Sequence, residues 1–359
     1  THEQALFADP LRLLRAARLA TQLEFAIEPE THDAIARHAG LIEDAAAERQ
    51  RDELVLILST PRAAAGVRLL DELGLLGHLL PELMPARGVE QPSNHHYYDV
   101  FDHSLATLAA LDAMLAETPP PTDAGLDFRA DFRDALAWYP LDAYVDERTG
   151  GQTRRVLIKL AGLLHDVAKP ETKAADATGR IRFLGHPEIG ASKVERICRR
   201  LRFGNRETRF VSRLVEEHLR PFQLAQARTA PSRRAVYRFF RDLGEAAPAC
   251  MFLALGDGAG AAGPRLTPAR WQAMVAYADH VLRYWDEIQN ETPAPARMIT
   301  GNDLIRELDL EPGPLVGRLL AALDEAIGAG EVESLEAALA YARSLIETLQ
   351  TETKQRGEP

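Results

Sequence analysis

Apolar residues recur at helical spacing along most of the chain. After Asp9-Pro10, a capping residue followed by one suited to a first helical turn, Leu11, Leu14, Leu19 and Leu23 mark the first strong helix. Residues 30–47 and 48–58 read as a second and a third helix, the third ending before Pro61. Residues 63–80 hold two short amphipathic pieces, broken at Gly74 and Pro81, and 87–94 is a connecting loop. Val100, Leu105, Leu108, Leu111 and Leu115 then share one face of a helix. The stretch from Val156 to Val167 is apolar on nearly every side and predicts a helix buried all round. Further helices are expected from Pro187, Arg206, Ser232, Ala246, Pro268 and Gly301, with a last amphipathic one over Leu335–Leu349. Thr118-Pro119-Pro120-Pro121-Thr122-Asp123 reads as a linker opening a weakly structured polar insertion over 118–153. Residues 173–182 read as a polar loop around Gly179. No alternating strand pattern and no internal repeat is evident, so the expected fold class is all-α.

Composition adds limits. With 46% hydrophobic and 26% charged residues, the chain is an ordinary soluble type, long enough for two or more domains. No run approaches the roughly 18 apolar residues of a membrane span, and Thr1-His2-Glu3-Gln4 opens no secretory signal. Cys198 and Cys250 make neither a disulfide framework nor a zinc-thiolate motif, so a cytoplasmic setting is expected. The net charge of -11 argues against a general nucleic-acid coat. Yet residues 193–241 carry 14 Lys/Arg against 4 Asp/Glu, and Arg12, Arg15 and Arg18 form a stripe. Such asymmetry marks either a face that meets phosphate or a set of solvated helix faces.

The candidate chemistry starts at His165-Asp166, which ends the apolar run Leu157, Ile158, Leu160, Leu163, Leu164. A buried carboxylate is costly without a compensating partner, and a metal ion is a good one. Imidazole and carboxylate together suit Mg, Mn, Ni, Co, Fe or Zn. Adjacent helical residues point about 100° apart, so both reach one ion only near a helix end. His103, His186, His218 and Asp257 also sit where helices are expected to start or stop. The doublet His95-His96 reads as lining a cleft or capping the following helix rather than as a ligand pair.

In chain order the set is His, His-Asp, His, His, Asp, and Leu163-Leu164-His165-Asp166-Val167-Ala168-Lys169 resembles the core motif of the HD phosphohydrolase superfamily. The resemblance implies that His103, His165, Asp166 and Asp257 hold one divalent ion. It implies that His186 and His218 serve a second, as in two-metal members. Gly256 stands where relatives often have Ala. On this reading a divalent ion ionises water and neutralises phosphate. Asp166 ligates and orients water as a catalytic residue, Lys169 acts as a catalytic and phosphate-binding residue, and Arg220 contacts phosphate as well.

A second resemblance covers most of the chain. Phe7-Ala8-Asp9-Pro10-Leu11-Arg12, Glu48-Arg49-Gln50-Arg51-Asp52-Glu53-Leu54 and Leu80-Pro81-Glu82-Leu83 are similar to the neck of bacterial tRNA nucleotidyltransferases and poly(A) polymerases. Gly301-Asn302-Asp303-Leu304 and Pro312-Gly313-Pro314-Leu315 resemble their C-terminal module. The resemblance implies a neck and body over 1–90, an HD domain over 91–290 with the 118–153 insertion, and a helical tail over 291–359. Asp9 and Arg12 match a nucleotide-reading motif in which Ala8 replaces a Glu. The polymerising head of that family would precede residue 1, and a separate head is an expected partner. The function expected from these residues is hydrolysis of nucleotide or RNA-end phosphoesters, 2′,3′-cyclic or 2′-phosphate. The alternative is a non-catalytic tRNA-binding body whose head is absent or on another chain.

Overall fold

The computed structural model describes residues 8–92, 96–116, 127–225, 231–291 and 298–356. The fold is all-α, and the chain divides into two compact units. The first holds residues up to Phe222 together with Glu245–Asp279; the second holds Gln223–Gly244 and the residues from His280 on. The 118–123 linker lies outside the described residues.

The first unit opens with α1 (Leu11–Leu23), α2 (Pro29–Arg37), α3 (Ala47–Leu58) and α4 (Ala63–Glu72). Leu13, Leu14, Leu54, Ile57, Val67 and Leu70 are fully buried where α1, α3 and α4 meet. The basic stripe expected on α1 does not stand free. Arg15 and Arg18 both reach Glu53 of α3, at 3.3 and 2.6 Å, and Glu53 is itself buried.

There follow α5 (Val100–Leu115), α6 (Phe128–Ala135), α7 (Leu141–Asp146) and the hairpin β1 (Arg148–Thr149) with β2 (Gln152–Thr153). The insertion is therefore structured where it is described. Phe132, Leu136, Leu141 and Val145 are buried anchors spaced too widely to register as a pattern in a polar stretch.

Next, α8 (Arg154–Leu164) is buried at all eleven positions. Its three cations are matched: Arg154 by Glu147 and Glu245, Arg155 by Asp146, and Lys159 by Asp112 at 2.7 Å. Residues 173–183, expected as a loop, form the hairpin β3 (Lys173–Ala175) and β4 (Ile181–Phe183). Asp176 organises it by accepting from the Thr178 and Arg180 amides, the Thr178 hydroxyl and Arg182.

Three more helices complete this part: α9 (His186–Arg200), α10 (Asn205–Glu217) and the short α11 (Arg220–Ala225). α12 (Arg233–Leu243) belongs to the second unit. The chain then returns through α13 (Ala247–Ala262), which makes the most extensive helix pairing among the described residues, on α5. The unit boundary falls within α14 (Pro268–Glu291). In the second unit α12 packs with α16 (Pro314–Gly328), and α15 (Gly301–Leu308) and α17 (Leu335–Arg356) close a core of Leu304, Leu319, Leu323 and Ala338.

Candidate metal centre

Five elements deliver six side chains to one place. His103 lies on the first turn of α5, whose start is capped by Asp99 accepting from the Asp102 amide at 2.8 Å. His165 follows α8 with helical backbone angles, and Asp166 comes next. His186 opens α9, His218 follows α10, and Asp257 sits within α13. All six are buried, and His165 and Asp166 are sealed completely.

Two glycines bring α13 close enough to α5. A Cβ on Gly260 would stand 2.7 Å from the Thr107 backbone nitrogen, and one on Gly256 would stand 2.8 Å from Leu111 Cγ. Neither position has room for alanine without movement. This accounts for Gly256 at a site where the superfamily often carries Ala.

Five of the six form two sets that share Asp166, and Asp257 stands beside the first. His103, His165 and Asp166 converge on one side; Asp166, His186 and His218 converge on the other. On the first side His103 Nε2 is 3.4 Å from Asp166 Oδ2 and 3.1 Å from Asp257 Oδ1, and His165 Nε2 is 3.1 Å from Asp166 Oδ2. On the second side Asp166 Oδ1 is 3.4 Å from His186 Nε2 and 3.9 Å from His218 Nε2.

The donor set fits divalent cations on a structural ground. The Nδ1 atoms of His165, His186 and His218 lie 2.7–2.8 Å from the carbonyl oxygens of Gly162, Phe183 and Val215. A neutral imidazole that donates through Nδ1 presents an unprotonated Nε2. The Nε2 atoms of His186 and His218 then face each other at 3.3 Å, lone pair towards lone pair. A cation between them turns that repulsion into ligation, and the carbonyl anchors fix the rings as outer-shell partners do in metal sites. Neither Asp166 oxygen has a well-aligned hydrogen-bond donor, although Lys169 Nζ stands 2.6 Å from Oδ2.

Electrostatics follow the same geometry. Burial would pull His103 down, but the nearby carboxylates of Asp166 and Asp257 outweigh it and raise its pKa to about 9. Burial, with the neighbouring His165, pushes His218 down to about 3. For Asp166 burial alone would raise the pKa, yet His165 and Lys169 hold it well below the usual carboxylate range. Asp257 is likewise held low, against burial, by His103 and His165.

Lys169 is buried, with Nζ donating to Gln91 Oε1 at 2.7 Å and lying 5.4 Å from the centre of the Phe183 ring. Arg220, expected at phosphate, lies 3.4 Å from Glu217 Oε2. Asp9 and Arg12 lie apart from this centre, at the start of α1. The Asp9 carboxylate is 3.2 Å from Arg49, and Arg12 is exposed. Partial burial would raise the pKa of Asp9, but Arg49 outweighs it and the group is lowered.

An open cleft of about 600 Å³ adjoins the centre, walled by Gln91, His96, Tyr97, Tyr98, Arg180 and Ile181. Gln91 reaches the centre through Lys169. His96 lies edge-on to His103, with ring centres 5.0 Å apart. Burial and the nearby Lys169 push His96 down to about 3. Gln91 and the hairpin residues carried no signal in the sequence, because isolated Gln, Arg and Ile have no motif spacing. His95 lies outside the described residues.

Comparison with known proteins extends these observations. Residues 24–87 match the family described as the probable RNA and SrmB-binding site of polymerase A, residues 100–240 match the HD domain, and residues 293–342 match a putative tRNA nucleotidyltransferase domain 2. The chain is 35% identical to the A-adding tRNA nucleotidyltransferase of Deinococcus radiodurans, over 94% of this chain and 69% of that protein. It is 32% identical to the CC-adding tRNA nucleotidyltransferase of Thermus thermophilus, over 94% of this chain and 67% of that protein. Among solved structures, the CCA-adding enzyme of Bacillus stearothermophilus in complex with CTP shares the fold at a TM-score of 0.52 and 19% identity, with 98% of this chain and 65% of that one covered. These relatives are named for nucleotide addition, which overturns hydrolysis of phosphoesters as the function expected of the chain and the phosphohydrolase assignment as its enzyme class. The physical reason for the error is that a set of metal ligands specifies a cage and not the reaction of the protein that carries it.

Proposed function

The chain belongs to the tRNA nucleotidyltransferase family, and from that premise we propose that it forms the tRNA-holding body of an enzyme that adds nucleotides to tRNA. The observation that carries this reading is the similarity to the A-adding relative along 94% of the chain, running through the RNA-binding segment, the HD domain and the tail alike. The three segments 1–90, 91–290 and 291–359 act on this reading as neck and body, cation-holding domain and tail. Asp9 and Arg12 stand at the end of the neck that would meet the incoming nucleotide. His103, His165, Asp166 and Asp257 hold one divalent cation, and Asp166, His186 and His218 a second. When bound, such ions supply fixed positive charge. The carbonyl-anchored histidines orient their ring nitrogens inward, and Lys169 and Gln91 close the wall towards the cleft. Nucleotide addition itself is expected when this body works with a nucleotidyltransferase head.

The test is binding of a labelled tRNA transcript to the purified chain at low salt, with affinity falling as salt rises. Radiolabelled ATP and CTP incorporation into that transcript is then compared with and without a head domain from a relative. No detectable complex with tRNA at low salt removes the proposal.

A further inference from the structure

We infer that the turn joining α9 to α10 is a second phosphate-contacting surface for RNA, abutting the neck. The inference rests on the tRNA-body reading and deepens it by naming where on the HD domain the nucleic acid lies.

Arg196 and Arg199 lie in the last turns of α9, and Arg206 and Arg209 in the first turns of α10; all four are exposed. None has an ion-pair partner among the described residues. Glu195, exposed on α9 beside Arg196 and one turn before Arg199, offsets at most one of these four charges, and the other acidic residues nearby are engaged elsewhere. Glu207 is buried and accepts from the Gly151 amide at 2.9 Å and from the Gly204 amide. Glu216 and Glu217 pair with Arg213. In a chain of net charge -11, concentrated unneutralised arginines repel one another, and a polyanion relieves that repulsion.

Two further observations point the same way. Arg202, in the turn itself, has a φ of 59°, a left-handed conformation that costs a residue with a Cβ roughly 1–2 kcal/mol and suits glycine. The sequence places an arginine there, 65% exposed, with only a 3.8 Å approach to Glu48. The turn is also tied to the neck: Arg51 of α3 donates to the Arg202 carbonyl at 2.5 Å. Arg51 lies within the segment that matches the RNA-binding family. The turn thus abuts that segment, where Arg51 also pairs with Asp52 at 2.7 Å.

The partner that fits is the sugar-phosphate backbone of RNA, read by charge and not by base. The test uses the full chain, bulk bacterial tRNA as probe, and dissociation constants measured over a series of KCl concentrations. The variant R196A/R199A/R206A/R209A is expected to bind at least about tenfold more weakly at low salt, with the log-log salt slope flatter by about 2 or more. The matching four-lysine variant should keep the slope and bind within about threefold of the parent, since its charge is retained. A four-alanine variant that binds tRNA within about twofold of the parent, with an unchanged slope, overturns the inference while leaving the tRNA-body reading intact. If that same variant instead loses capture of polyglutamate, the patch belongs to an acidic protein partner, which also overturns it. Failure of the parent chain to bind tRNA removes the reading and this inference with it.

Discussion

A methyl group at residue 260 would press on backbone, whereas most added methyl groups in this fold would meet side chains that can turn aside. Gly260→Ala gains about 1 kcal/mol of helix propensity. It incurs an overpacking penalty of about 1–3 kcal/mol against Thr107 N and Cα, which cannot rotate away. We expect net destabilisation in urea unfolding together with weaker cation retention, because His103 rides on the helix that is pushed back. A stabilised variant with full cation content would contradict this account. Asp112 offers a second test. It is buried against Lys159, which also donates to the Thr60 carbonyl at 2.7 Å. Asp112→Asn keeps the shape of the side chain but cannot titrate. Burial raises the Asp112 pKa above 3.8 in the folded chain despite Lys159. The folded state therefore holds that proton more tightly than the unfolded state. The stability gained from the neutral carboxyl is complete below 3.8 and is lost as pH climbs through the folded value. The parent should lose stability relative to the variant across that interval, and a relative gain there would count against the assignment. At this scale His165 and Asp166 stood out in the sequence because they end the apolar run of α8, whereas His103, His186 and His218 were picked out by their order along the chain, and Asp257, expected where a helix stops, lies inside α13. Arg15 and Arg18 misled, since their neutralising partner Glu53 is 35 or more residues away and only the packing of α1 on α3 reveals it.

Among the elements, those with strong periodicity were readable and those held by a few anchors were not. The buried α8 announced itself by its apolar run. The helices α6 and α7 did not, because four buried residues dispersed in a polar stretch leave no period to detect. The β3–β4 hairpin escaped for a different reason: its order comes from one aspartate gathering local donors, and its burial pattern is largely exposed. The meeting of α5, α8, α9, α10 and α13 at the histidines would make any cations held there part of the packing. Removing them with a chelator should lower the thermal midpoint by about 5 °C or more, since a ligand bound only by the folded state stabilises it. Re-addition of a divalent ion should restore it. The double variant His186→Ala/His218→Ala should retain about one ion of two by elemental analysis. Retention of both would show that these histidines hold no cation.

Over the whole molecule, protection of backbone amides should follow burial within each unit. The slowest hydrogen exchange is expected along α8 and α13 in the first unit, and along Leu319–Ile327 of α16 in the second. Rapid exchange throughout α8 would be incompatible with its complete burial. The family was readable from several short motifs together, whereas the activity was not: the most conspicuous chemistry of the sequence lies in one domain, and the relatives are named for another. Asp166 gives the arrangement at that domain a particular character. Its two oxygens look in opposite directions, each towards its own pair of imidazoles, so a single side chain is the common wall of two chambers. An ion on one flank would therefore set the charge felt on the other, and a substitution at that position is expected to disturb both chambers together.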